Sequence, residues 1–220
     1  MQVGRTKTEK TNFDELSEKE VGKLFPIRIE SYDPNWEMLY EQEKALITKT
    51  LREEDLLNIE HFGSTSVLGL ASKPTIDILV EVSKLNDASK QSITQKLEAI
   101  GYRNMHNAEK ENKMTFGKGY DENYARTQTY HLHIREKGNS PQDEILFRDY
   151  LRKNSDIRDQ YAALKYTLAE KHQFNREDYT RGKTDFITEH LLKNKIHRRR
   201  LKLKDETNFT PPPSEGLGEA

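Results

Sequence analysis

The chain has 220 residues, 33% hydrophobic and 33% charged, with a formal net charge of -1. That length accommodates one domain with a substantial core, or a domain with tails; the lean apolar fraction implies strongly solvated surfaces or ends, and the near-neutral charge argues against a surface built throughout for nucleic acid. The absence of cysteine excludes disulfides, thiolate metal sites and a cysteine nucleophile, no apolar run reaches membrane-span length, and the polar first residues are unlike a signal peptide, so the expectation is a soluble, cytoplasmic protein without a membrane partner.

Residues 1–21 lack apolar periodicity and read as a flexible N-terminal arm. Asp33-Pro34 starts a helix with a side-chain cap and an early proline, and Trp36, Leu39, Tyr40, Ile47 and Leu51 follow close to helical spacing. Next comes His61-Phe-Gly-Ser-Thr-Ser-Val67, a small-residue turn, and then Thr75-Ile-Asp-Ile-Leu-Val-Glu-Val82, a short branched run that predicts a strand. Gly63 lets the backbone approach a ligand closely, Ser64, Thr65 and Ser66 offer hydroxyl donors, and Asp77 offers hard oxygen for a divalent cation. Period two puts Asp77, Leu79 and Glu81 on one strand face, where acids are costly to bury without partners. An ordinary turn followed by an ion-paired Asp77 explains the same residues, and a Gly-Ser pair alone does not discriminate.

Asp87 is placed to cap a helix bearing Ile93, Leu97 and Ile100, with Gly101 ending it. Extended runs follow near 102–106, 113–117 and 129–136. In the last, His131, His133 and Arg135 share one face, and the two histidines lie about 7 Å apart by strand geometry, close enough to meet one metal or one phosphate. The solvent side of an edge strand would look the same. Lys73, Lys113, Lys118 and Arg148 surround these motifs in sequence. Lys165 lies beside the stripe Ile157, Tyr161, Leu164 and Leu168, and Lys183 lies one turn before Phe186 and Ile187, so both are candidates to point inward, although snorkelling accounts for them nearly as well. From residue 195 the chain reads as a basic, then proline-rich, disordered tail; the seven Lys and Arg of 193–204 suit a helix end better than a nucleic-acid patch, a partner they leave open. Strands with interspersed helices and then a run of helices predict an α+β domain, a mixed sheet covered by helices.

Taken in order, Asp33-Pro-Asn-Trp36, His61-Phe-Gly-Ser-Thr-Ser-Val67, Lys73-Pro-Thr-Ile-Asp77, Lys118-Gly-Tyr120, His131-Leu-His-Ile-Arg135, Phe147-Arg-Asp-Tyr-Leu151, Leu164-Lys165 and Tyr179-Thr-x-x-Lys183 resemble the GrpB family over residues 22–194. The resemblance implies a nucleotidyltransferase-like α/β fold, a mixed β-sheet flanked by helices, in which Gly63-Ser64 corresponds to the phosphate-contacting Gly-Ser and Asp77 to the first metal-binding carboxylate. It also implies a second acid two residues on, and here that position is Leu79. His131 or His133 stands where a third acid is usual. Glu81 is on the correct face but about 13 Å along the strand from Asp77. The expectation is a protein that acts on or binds a nucleotide or other phosphate-containing small molecule with a divalent cation, Mg²⁺ or Mn²⁺, with Zn²⁺ also admitted. Asp77, His131 and His133 are the expected catalytic residues, and Asp77, Glu81 and His133 the expected metal ligands. Gly63, Ser64, Thr65, Ser66, Lys73, Lys118, Arg135, Arg148, Lys165 and Lys183 are expected to bind phosphate or nucleotide. The alternative is a catalytically inactive module for a nucleotide or a CoA-like ligand.

Overall fold

A computed structural model describes residues 17–207 apart from 53, 106–111, 121–126 and 140. Residues 1–16 and 208–220, much of the two expected arms, therefore lie outside the described residues. Helix α1, Glu18–Leu24, starts inside the expected arm because Ser17 and Glu20 form a reciprocal capping box. Helix α2, Asn35–Thr50, begins after Pro34, and the Asp33 carboxylate accepts from both the backbone and side-chain amides of Asn35. Strand β1, Leu56–His61, leads through a 3-10 turn, Ser64–Ser66, to strand β2, Thr75–Val82. Helix α3, Asp87–Glu98, is capped by Asn86, whose side chain accepts from the Ser89 amide; Asp87 falls in the first turn instead. Strands β3, Arg103–Asn104, β4, Lys113–Lys118, and β5, Thr129–Glu136, complete the sheet. Helices α4, Gln142–Lys153, α5, Ser155–Lys171, α6, Arg176–Arg181, and α7, Thr184–Thr207, end the described chain.

The sheet order is β1-β2-β5-β4-β3, with β2 and β5 parallel and the other neighbours antiparallel. Strand period fixes what each face does. Ile76, Ile78, Val80 and Val82 of β2, Tyr130, Leu132 and Ile134 of β5, and Met114 and Phe116 of β4 face one way. They pack against Trp36, Tyr40, Ile47 and Leu51 of α2 and Ile93 and Leu97 of α3 in the main core. Each such aliphatic or aromatic side chain contributes roughly 1.5–3 kcal/mol on burial, so this face anchors the sheet and leaves the other available.

The opposite face carries Asp77 and Leu79 on β2 and His131, His133 and Arg135 on β5. Two smaller clusters roof it: Val67, Leu70, Phe147, Leu151, Tyr161 and Leu191, and then Ile27, Leu168 and Tyr179. The helical third of the chain thus packs over a polar sheet face, and the space between is a cavity.

Candidate functional site

The site starts at a turn. Gly63 has φ +65, and a Cβ there would sit on the Asp77 carboxylate, so this position requires glycine for conformation and for space together. Ser66 Oγ donates to the Gly63 carbonyl at 2.7 Å, and Thr65 Oγ1 donates to the Thr75 carbonyl at 3.0 Å, which ties the turn to the first residue of β2. Asp77 is then delivered two residues along the strand.

Parallel register places Asp77 opposite His131 and Leu79 opposite His133. His131 Nδ1 lies 3.4 Å and His133 Nε2 3.9 Å from Asp77 Oδ1, and the two imidazoles meet edge to face with centroids 6.2 Å apart. Burial opposes a charge on Asp77, but the neighbouring imidazoles of His131 and His133 hold its carboxyl well below the usual carboxylate range. Burial, reinforced by Lys73 and His133, lowers His131 against the pull of Asp77, which favours neutral imidazole. Among the described residues these three form a group able to hold a cation, their donor atoms all within 4.8 Å of one another.

Three lysines from three segments meet this trio across a cavity of about 330 Å³. Lys73 precedes β2, Lys165 comes from α5 and Lys183 lies between α6 and α7. Tyrosine faces carry them: Lys183 Nζ is 4.6 Å and Lys73 Nζ 5.6 Å from the Tyr179 ring centre, and Lys165 Nζ is 4.9 Å from that of Tyr161. Lys165 is 2% exposed, and its Nζ has no hydrogen-bond partner among the described residues. Burial first, then Lys183 and Lys73, push its amine well below the ordinary lysine value. Burial, Arg176 and Lys183 lower Lys73 to about 8, and burial lowers Lys183. Asp77 is the anion whose charge opposes all three shifts.

Of the residues expected from sequence, Gly63, Ser64, Lys73, Asp77, His131, His133, Arg135, Arg148, Lys165 and Lys183 line the cavity. The others do not. Glu81 is four residues along β2 from Asp77, beyond Leu79, and stands opposite Arg135; it is outside both the lining and the cation-binding group. Lys118 shares its face of β4 with Met114 and Phe116, so it lies behind the sheet, where it pairs with Glu43 at 2.7 Å and meets the Tyr102 and Tyr130 rings. The hydroxyls of Thr65 and Ser66 are engaged by the Thr75 and Gly63 carbonyls. Arg148 reaches the cavity already bound by Glu60, Asp149 and the His61 carbonyl, and Arg135 Nη1 donates to the carbonyls of Met114 and Ile134.

Four contributors escaped the sequence reading as functional residues. Tyr161 and Tyr179 stood out only as apolar-stripe and motif members, yet they carry the lysines. Tyr120 stacks on His131 and holds its Nε2 in a 2.6 Å hydrogen bond. His61 is buried against Tyr40; since Thr65 gives its proton to Thr75, His61 Nε2–H donates to Thr65 Oγ1. Burial pushes His61 down to about 4, so it serves the turn as a neutral donor.

The Mg²⁺ pair that the resemblance implies does not fit these residues, because Leu79, 2% exposed, stands where the second carboxylate would be. The donor set present is one carboxylate and two imidazoles.

A family model described as "GrpB protein" matches residues 26–193. The "Glutamate-rich protein GrpB" of Alkalihalophilus pseudofirmus is 35% identical over 162 residues, spanning 73% of this chain and 91% of that protein. The crystal structure of the conserved protein GrpB from Enterococcus faecalis superposes with a TM-score of 0.66 at 31% identity, over 76% of this chain and 96% of that one. The Cid1 poly (U) polymerase aligns at a TM-score of 0.48 and 15% identity, over 66% of this chain and 45% of that one, a likeness too distant to transfer a substrate or a site. With its five-stranded mixed sheet flanked by helices, the chain belongs to the GrpB family.

Proposed function

We propose that this cavity binds a nucleotide or another small molecule through its phosphate, with a divalent cation at the Asp77 end. The observation that carries the reading is Lys165: a buried lysine whose Nζ has no hydrogen-bond partner among the described residues, facing a cavity beside two further lysines. Burying such a group without a partner costs stability that packing alone does not return, and an anion offsets it. The arrangement supports phosphate over carboxylate because three separate ammonium donors converge, matching a group with three acceptor oxygens. Ser64 adds a hydroxyl at the turn, and Phe62, Phe147 and Ile187 give an apolar wall for the rest of the ligand.

A second reading, turnover of that ligand, is favoured by the position of Asp77 and His131 on the cavity floor, where an imidazole held by a carboxylate is able to move a proton. The variant His131→Gln separates the two: an enzyme loses turnover with modest change in affinity, a binding module loses affinity alone. The test of binding itself is a thermal-shift panel of inorganic pyrophosphate, nucleotides and CoA compounds, each with and without added divalent ions. Stabilisation by phosphate compounds in the native protein and its loss in Lys165→Met supports the reading; no shift with any of them contradicts it.

A further inference from the structure

We propose that Asp77, His131 and His133 hold a single nitrogen-accepting transition ion of the zinc class, and that the site rejects Mg²⁺. Donor geometry is the first ground. A four-coordinate ion with bonds of about 2.0–2.1 Å sets its ligand atoms roughly 3.3 Å apart. One pair here already stands at 3.4 Å and a second at 3.9 Å, with all three donors inside 4.8 Å, so side-chain rotation closes the site.

Donor chemistry is the second. Mg²⁺ takes oxygen ligands in an octahedral shell, whereas two imidazoles and one carboxylate suit zinc or another imidazole-binding ion such as cobalt or iron. Leu79 removes the carboxylate that would have supplied the missing oxygen, and Glu81 does not reach the cavity.

The third ground is that the far nitrogen of His131 is held by a second group. Metal-ligating histidines usually engage their other nitrogen with a second group that fixes the tautomer. Tyr120 does this for His131: its hydroxyl lies 2.6 Å from Nε2 and leaves Nδ1 toward Asp77. Room for that tyrosine comes from Gly117, opposite His131 in the ladder, where a Cβ would meet the Tyr120 ring at 3.3 Å. Phe62 packs edge-on against His133, with centroids 5.1 Å apart. Three protein ligands leave a fourth position open to the cavity, facing the lysines. A phosphate there would touch the ion and the ammoniums together.

The inference adds to the phosphate reading and stands apart from it in the test. Untagged protein, freed of metal, is titrated with Co²⁺ in phosphate-free buffer, followed by equilibrium dialysis and visible absorption; the chain has no cysteine to contribute thiolate bands. The expected result is a single bound Co²⁺ with tetrahedral absorption that millimolar Mg²⁺ does not displace. His131→Gln and His133→Gln, checked for folding by circular dichroism, weaken binding by about tenfold or more, and Tyr120→Phe weakens it about tenfold while leaving all three ligands in place. Lys165→Met, which leaves all three ligands in place, binds Co²⁺ as the native protein does, whether or not it binds phosphate. Absence of bound Co²⁺, equal competition by Mg²⁺, or wild-type Co²⁺ affinity in the folded histidine variants overturns the assignment.

Discussion

Lys165 is the residue at which stability and function pull in opposite directions. A buried lysine amine without a hydrogen-bond partner destabilises the ligand-free fold by about 1–3 kcal/mol, so Lys165→Met should raise the denaturant midpoint of the empty protein while weakening phosphate binding about ten- to a hundredfold. Parallel chemical denaturation and calorimetry check both halves. Loss of stability in that variant would mean that the ammonium has a structural partner. Leu79 is the converse case. Leu79→Asp places a carboxylate at a position 2% exposed, and it should lower the melting temperature in chelator and regain part of the loss when Mg²⁺ is added. A melting temperature indifferent to Mg²⁺ would show that position 79 is too far from the ion site to supply a ligand.

At the scale of elements, the parallel pairing of β2 with β5 makes the site: it sets Asp77 against His131, residues 54 apart in sequence. Period two was legible in each strand separately, so the shared face of His131, His133 and Arg135 and that of Asp77 and Leu79 follow from the sequence. Adjacency of the two strands does not, because it depends on the crossover through α3, β3 and β4. The same period-two rule, applied to β4, also shows why Lys118 is not at the site: Met114, Phe116 and Lys118 alternate together onto the core face. The inward turn of Lys165 was harder to read. Snorkelling and pocket-lining lysines carry the same spacing along a helix, and only the packing of α5 over the sheet separates them. The turn before β2 gives a direct test of the element. Gly63→Ala combines a left-handed backbone with a clash against Asp77 and should cost on the order of 1–3 kcal/mol in denaturant melts, with cation and phosphate binding both impaired. Wild-type stability in that variant would mean that the turn has another conformation.

For the whole molecule, the cavity couples stability to pH with a defined sign. Lys73 is lowered to about 8, and Lys165 and Lys183 are lowered as well. Between about pH 8 and the ordinary lysine value near 10.4, the unfolded chain therefore binds more protons than the folded one. The ligand-free protein should gain stability as pH rises from about 8 to about 10. Above that, Tyr161 and Tyr179, raised by burial, reverse the slope. Phosphate affinity should run the other way and fall across the same window as the ammoniums discharge. On the acid side, His61, held neutral down to about 4, removes stability as pH falls below its unfolded value near 6.5. No helix among the described residues is long and apolar enough to cross a membrane. The central claim, that the lysine-lined cavity is a phosphate site, is met most directly by isothermal titration of pyrophosphate and of a nucleoside triphosphate into metal-free protein, native and Lys165→Met, at pH 7 and pH 9. Saturable binding to the native protein, weaker at pH 9 and lost in Lys165→Met, is the predicted result; equal heats from the native and variant proteins, or none from either, would contradict it.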